Sequence, residues 1–97
     1  MPARLLCVGD GIDHLRTRCA VLDSVGYEAE PAFLPEAVNL LRTKEFDLVI
    51  VSAWLDEREK SRILAAAGKT PALVLEGLTR ADQLLAQVKQ MLDREDA

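Results

Sequence analysis

The sequence is poor in aromatic residues and histidine, and it has no long apolar run. Aromatic side chains make up 4% of the 97 residues and there is one histidine, which leaves little material for an aromatic core or a histidine-rich metal site. No apolar stretch approaches the ~18 residues typical of a membrane span, and no signal-peptide core follows the first four residues. We therefore expect a cytoplasmic domain with no membrane partner.

Cysteine is also scarce, and its spacing matches no metal or redox motif. Cys7 lies in an apolar run and Cys19 on an apolar helical stripe, so both are predicted to be buried, apolar side chains. The chain has no C-x-x-C pair, and the single histidine, His14, is most simply a solvated residue in the first turn of a helix. We expect no metal, no cofactor and no disulfide.

Charge of one sign is not concentrated anywhere in the chain. Twelve basic residues are scattered among sixteen acidic ones, and the net charge is −4. A nucleic-acid-binding surface needs clustered lysine and arginine. We therefore expect a mixed, solvated surface and no nucleic-acid partner.

Hydrophobic residues make up 49% of the chain, chiefly the aliphatic types found in parallel strands covered by helices. Short apolar runs alternate with segments of helical periodicity. This alternation predicts strands at 5–8, 27–32, 47–51 and 71–75, helices at 13–25, 35–44, 57–67 and 81–92, and a frayed tail at 93–97. Residues 1–97 should form one α/β domain, with a parallel sheet, right-handed crossovers and helices on both faces.

Local signals indicate where several elements begin and end. Gly26 is expected to close the first helix in the left-handed conformation, Gly68 to close the third helix, and Asp56 to cap the third helix. Pro31 cannot donate to a ladder, which places the second strand at a sheet edge. Residues 79–82 have the form of a capping box before the last helix.

Candidate site residues are those that follow the predicted strands, because open parallel sheets bind ligands at the carboxyl ends of their strands. These are Asp10, Ser52, Trp54 and Glu76. Asp10 lies in a Gly9–Gly11 turn that lacks the full G-x-G-x-x-G pattern, so a tight turn is favoured over a phosphate-binding loop. Ser52 is either a modified residue or, more simply, a hydroxyl bonded to nearby backbone. Trp54 is either a partner anchor or a lid over the strand ends.

Several segments together resemble a known family. The first helix ends in Val25-Gly26-Tyr27-Glu28, and two later segments read Pro35-Glu36-Ala37-Val38-Asn39-Leu40-Leu41 and Phe46-Asp47-Leu48-Val49-Ile50-Val51. Over about residues 4–75 the chain resembles, in register, the receiver domains of two-component response regulators. The resemblance implies a three-layer α/β/α, flavodoxin-like fold. One strand and one helix of the family's usual five are missing, so we expect a truncated four-stranded sheet of order 2-1-3-4.

The resemblance also implies a site, and this chain departs from it at three positions. Receivers hold Mg²⁺ with an acidic pair after the first strand and phosphorylate an aspartate that ends the third; a hydroxyl and a lysine sense the phosphoryl group. Here the acidic pair becomes Gly9 and Asp10, and the phosphoacceptor becomes Ser52. Glu76 takes the sensing position, whether the last strand corresponds to the family's fourth or fifth. An aspartyl phosphate needs a carboxylate nucleophile, so we expect a degenerate receiver that is not an enzyme and has no catalytic residue.

The function that follows is signalling through protein contacts without a phosphorylation switch. Loss of the outer strand should leave the last one as an apolar edge, so Leu73, Leu75 and Trp54 are predicted to contribute to an interface with a protein partner or a second copy. The alternative is a flavodoxin-like domain that binds a small ligand or cation at Asp10, Ser52 and Glu76. A third reading is a structural part of a larger assembly.

Overall fold

Strands and helices alternate along the chain, as the sequence predicts. The computed structural model describes residues 2–77 and 79–95. The strands are Arg4–Val8 (β1), Glu28–Ala32 (β2), Leu48–Val51 (β3) and Ala72–Val74 (β4), and the helices are Ile12–Asp23 (α1), Leu34–Thr43 (α2), Glu57–Ala67 (α3) and Ala81–Glu95 (α4). Since α4 continues to Glu95, the predicted frayed tail is helical at 93–95, and 96–97 lie outside the described residues.

The four described strands form one parallel sheet in the order β2-β1-β3-β4, which confirms the predicted fold class and strand order. Pro31 lies in β2, at one edge of the sheet, where its missing N–H costs no ladder bond. The two central strands, β1 and β3, are the most apolar, because their side chains are covered on both faces.

Two clusters of buried side chains lie on opposite faces of the sheet. Leu5, Cys7, Leu48 and Ile50 of β1 and β3 pack against residues of α1 and α4. The alternate side chains of the same strands pack against residues of α2 and α3. Each large aliphatic side chain that is fully buried in this way stabilises the fold by about 1.5–3 kcal/mol relative to exposure. The sheet is therefore the middle layer of three.

Helix α1 ends two residues earlier than the sequence predicts. The last turn tightens after Asp23, because the N–H groups of Val25 and Gly26 donate to carbonyls three residues back, at 3.2 and 3.1 Å. Gly26 has a φ of +99°, the left-handed conformation that was expected of it. The Asp23 carboxylate accepts a hydrogen bond from the Ala29 N–H at 2.9 Å, which ties this turn to β2. Val25 is consequently 52% exposed rather than part of the helix's apolar face.

Helix α3 is capped by Asp56, as predicted, and the cap is one half of a capping box that the prediction did not include. The Asp56 carboxylate accepts a hydrogen bond from the Glu59 N–H at 2.8 Å, and the Glu59 carboxylate accepts one from the Asp56 N–H at 3.1 Å. Gly68 ends the helix at a φ of +58°. The box predicted at 79–82 differs: the Thr79 hydroxyl donates to the Gly77 carbonyl at 3.3 Å, and the Asp82 carboxylate lies 3.2 Å from Arg80.

Strand β4 is shorter and less buried than the predicted run 71–75. Ala72 and Leu73 are half-buried and Val74 is 38% exposed. The reason is topological: β4 pairs with β3 on one side only and forms the second edge of the sheet. No helix within the described ranges combines the length and the apolarity that a membrane crossing requires.

Candidate functional site

The carboxyl ends of the two central strands meet at the position where a sheet of this type binds ligands. Val8 and Val51 lie level in the parallel register, so the next residues along β1 and β3 are Gly9 and Ser52. Strand order runs outward in opposite directions from this pair, towards β2 on one side and β4 on the other. A crevice between Gly9 and Ser52 would be the ligand site of a doubly wound sheet.

Ser52 does not present its hydroxyl to solvent. The residue is 4% exposed, and its N–H donates to the Val8 carbonyl at 2.9 Å, which extends the β1–β3 ladder by one step. Its hydroxyl oxygen accepts a hydrogen bond from the Trp54 N–H at 3.3 Å. This is a local bond of a small hydroxyl to nearby backbone, and it stabilises the turn that leaves β3.

Gly9 is packed directly against Ser52. A Cβ placed on Gly9 would lie 3.1 Å from the Ser52 Cβ, 3.1 Å from the Leu15 Cδ2 and 3.6 Å from the Ser52 Oγ. The first two distances are shorter than ordinary van der Waals contact between carbon atoms, about 3.5–4.0 Å. A side chain at position 9 would therefore meet Ser52 and Leu15 at its first carbon atom. We call this close packing of Gly9, Leu15 and Ser52 the closed position.

Asp10 and Glu76 lie beyond this closed position and are both exposed. Neighbouring carboxylates could compensate for the loss of the acidic pair, but within residues 2–77 and 79–95 no group of three or more His, Cys, Asp or Glu side chains is placed to hold a metal ion. Mg²⁺ requires several oxygen ligands in near-octahedral geometry. The residues present do not fit the ion that the resemblance implies.

The predicted interface residues are not equally accessible. Trp54 is 60% exposed and Leu73 is half-buried, whereas Leu75 is 3% exposed. The assignment of Leu75 to an exposed edge is corrected: its N–H donates to the Val51 carbonyl at 2.9 Å, and its side chain belongs to the core cluster under α1 and α4. Val74 is the exposed apolar side chain of β4.

Two surface cavities lie elsewhere. The larger, about 480 Å³, is at the opposite end of the sheet and is lined by residues that include Arg4, Asp23 and Phe46. The smaller, about 170 Å³, lies between α1, the start of α4 and the loop after β3. Asp10, Ser52 and Glu76 line neither of them, so the alternative of a ligand held by these three residues stays a prediction.

The two cysteines are buried, as predicted, and they belong to the same core cluster, which the sequence does not predict. Cys7 of β1 and Cys19 of α1 are both free thiols in the same core cluster. A hydrogen bond between them, together with burial, raises the pKa of Cys7, and the same hydrogen bond lowers the pKa of Cys19. Both positions were expected to face the core; the direct contact depends on the crossing of α1 over β1, which periodicity does not specify.

Comparison with known proteins identifies the fold. No protein-family model matches the sequence, and no curated protein does. The structure is similar to a CheY-like response regulator receiver domain protein from Methanospirillum hungatei JF-1, with a TM-score of 0.72 at 18% identity over 99% of this chain and 98% of that chain. The fold is that of a receiver domain. A CheY-like receiver domain from Methylobacillus flagellatus gives 0.73 at 14% identity, over 94% and 99% of the two chains.

The receiver-like fold also occurs as one part of a longer relative. NtrX from Brucella abortus, solved in complex with ADP, matches with a TM-score of 0.73 at 18% identity; the match covers 99% of this chain and 28% of that one. Similarity at this level of identity establishes the scaffold. What this receiver-like chain does has to be argued from its own residues.

Proposed function

We propose that this chain is a receiver-like signalling domain that acts through protein contacts and is not switched by phosphorylation at residue 52. The observation that carries the proposal is the closed position at the ends of β1 and β3, where Ser52 is 4% exposed and a Cβ on Gly9 would lie 3.1 Å from the Ser52 Cβ. The burial of Ser52 disfavours attack of its hydroxyl on a phosphoryl donor. On this proposal the domain is not an enzyme, and it works in the cytoplasm.

The chemistry of residue 52 supports the same conclusion. A serine hydroxyl becomes a nucleophile only beside a general base, and the hydroxyl of Ser52 accepts a hydrogen bond from the Trp54 N–H instead. The single histidine, His14, is exposed on α1. Glu76 would add negative charge to the end of the sheet that a phosphoryl group would occupy, and like charges repel.

The test is a titration with Mg²⁺ and beryllofluoride, followed by amide NMR shifts. We expect no saturable shift at Gly9, Asp10 or Ser52. Saturable shifts at these amides would contradict the proposal. Two substitutions test for weak metal binding at Asp10: Asp10→Asn, and Asp13→Asn as its control, because both carboxylates are exposed and near the start of α1. A Mg²⁺-dependent shift that is lost in Asp10→Asn but kept in Asp13→Asn would show that Asp10 still binds a cation.

The open edge at β4 is the surface that we propose for the protein contact. The Leu75 N–H bonds to the Val51 carbonyl, and the Pro71 carbonyl accepts from the Val49 N–H. Because backbone groups alternate in direction along a strand, those of Ala72 and Val74 point away from β3. An edge strand of this kind is a template for pairing with another strand.

A second copy of the chain is the partner that we propose for this edge. Residues 72–74 carry no charge, so two copies of β4 can approach about a twofold axis without repulsion. We expect light scattering at about 50 μM, a concentration at which a micromolar dissociation constant gives mostly dimer, to show twice the 10.7 kDa of the chain. Val74→Lys should give the monomer. Val25→Lys, at a 52% exposed apolar residue in the turn after α1, is the control and should stay dimeric; a monomeric wild type would contradict the proposed partner.

A further inference from the structure

A groove between α1 and the start of α4 has a chemistry that the proposed function does not use. It has a volume of about 170 Å³, and its lining includes His14, Thr17 and Arg18 from α1, Trp54 from the loop after β3, and Thr79 before α4. Among the described residues that line it there is no carboxylate. In a chain of net charge −4, this groove has a cation and hydroxyl groups but no acid.

Arg18 is the residue of the groove whose hydrogen-bonding groups are not all satisfied. Its Nη1 is buried and has no hydrogen-bond partner within residues 2–77 and 79–95. None of the described ion pairs uses Arg18, although the chain has more acidic than basic residues. Buried polar groups in native proteins are nearly always satisfied, and an exception points to a water, an ion or a ligand.

The other lining groups suit a negatively charged ligand with an apolar part. Thr17 adds an exposed hydroxyl. Ala81 begins α4, a helix of 15 residues, and the free N–H groups of a first helical turn favour anions. Trp54 is 60% exposed, so its ring offers a flat apolar surface beside these polar groups.

We propose that this groove binds a small oxyanion, a carboxylate or a phosphate, attached to an aromatic or apolar carrier. Arg18 contacts the oxyanion and Trp54 contacts the carrier. The volume of the groove fits a small ligand. About 170 Å³ is the volume that five or six water molecules occupy in the liquid, at ~30 Å³ each. Pockets for drug-sized ligands are larger, at ~300–1,000 Å³. The proposal is independent of Gly9, Asp10 and Ser52.

Fluorescence provides a direct test, since Trp54 is the one tryptophan of the chain. We would titrate the protein with phenyl phosphate, benzoate, inorganic phosphate and acetate at constant ionic strength. The aryl anions should give a saturable change and bind about two- to tenfold more tightly than the parent anions, because aromatic contact adds about 0.5–1.5 kcal/mol and 1.4 kcal/mol is tenfold. Benzyl alcohol, an uncharged ring, should give no saturable change. Comparison of the dissociation constants of phenyl phosphate and benzoate shows whether the groove prefers a phosphate or a carboxylate.

Arg18→Gln should weaken the aryl anions by about tenfold or more, since the charge-assisted hydrogen bond is lost. Arg16→Gln is the matched control, because Arg16 is exposed on the same helix and does not line the groove. If Arg18→Gln does not fold, the guanidinium N–H signals of wild-type Arg18 should shift on titration. The proposal is overturned if the aryl anions cause no saturable fluorescence change up to about 10 mM, since a dissociation constant of ~1 mM already corresponds to only 4.1 kcal/mol of binding free energy. It is also overturned if Arg18→Gln and Arg16→Gln change the affinity equally.

Discussion

Gly9→Ala is the substitution that most directly examines the closed position at the ends of β1 and β3. Gly9 does not have a positive φ, so its backbone accepts an alanine without strain. The new methyl group, however, would lie 3.1 Å from the Ser52 Cβ and 3.1 Å from the Leu15 Cδ2. Leu15 and Ser52 are both buried, so neither side chain can move into solvent to relieve the contact.

The expected cost follows from two opposing effects. Adding a methyl group to a filled core costs about 1–3 kcal/mol, and replacing glycine stabilises by about 0.4–1 kcal/mol, because the unfolded chain loses freedom. We expect Gly9→Ala to lower the free energy of unfolding by about 1–2 kcal/mol. In Ser52→Gly one of the two short contacts is removed and the contact with Leu15 remains, so Gly9→Ala should cost less there. The two substitutions should therefore couple by about 0.5–1 kcal/mol.

Urea unfolding followed by far-UV circular dichroism measures these free energies, and a thermal scan should show about 4–8 °C lower Tm per kcal/mol lost. Gly77→Ala is the control, because a Cβ there would meet nothing within 4 Å and Gly77 has no positive φ; its stability should be unchanged or about 0.4–1 kcal/mol higher. If Gly9→Ala is as stable as Gly77→Ala, or if it costs the same with and without Ser52, the closed position is not as we describe it.

Three further outcomes follow from the described contacts. Asp56→Ala should lower the free energy of unfolding by about 1 kcal/mol in urea melts, since the capping box of α3 is lost; an unchanged midpoint would contradict this. Ile63→Ala, at a fully buried side chain, should cost about 2–5 kcal/mol, whereas its 44% exposed neighbour Leu64→Ala should stay within about 0.5 kcal/mol. Iodoacetamide should react slowly with the folded protein and first at Cys19, which is 6% exposed whereas Cys7 is fully buried. The lowered pKa of Cys19 acts in the same direction, because the thiolate is the nucleophile. Peptide mass spectrometry reads the order, and Cys7 reacting first would refute it.

The sequence predicts the sheet well because its signals are local and agree with one another. Apolar runs locate β1, β3 and β4, and a weakly alternating segment locates β2, which Pro31 assigns to an edge. The end of α1 is missed by two residues because Asp23 bonds to the Ala29 N–H, a contact that helical periodicity cannot anticipate. The half-buried state of β4 is missed for a similar reason, because its burial depends on how far the sheet extends beyond it.

The candidate site is predicted less completely, since its decisive features are distances between segments. Sequence spacing places Asp10, Ser52 and Glu76 at the strand ends but does not show that Gly9 touches Ser52. It assigns Leu75 to the edge, whereas alternation along β4 turns Val74 outward and Leu75 inward. Two further features depend on the packing of α1 on the sheet: the Arg18 nitrogen that has no hydrogen-bond partner among the described residues, and the placement of both cysteines in one core cluster.

The departures at positions 9 and 52 depend on one another physically. A Cβ on Gly9 would lie 3.1 Å from the Ser52 Cβ, tighter than ordinary contact between carbon atoms at about 3.5–4.0 Å. A side chain at position 9 would therefore require Ser52 or Leu15 to shift, and glycine avoids this contact. A carboxylate restored at position 52 alone would be buried against Gly9 and lack a partner, and one restored at position 9 alone would collide with Ser52. Re-creating an acidic site therefore requires the packing of Gly9, Leu15 and Ser52 to change together, and not only the identity of one side chain.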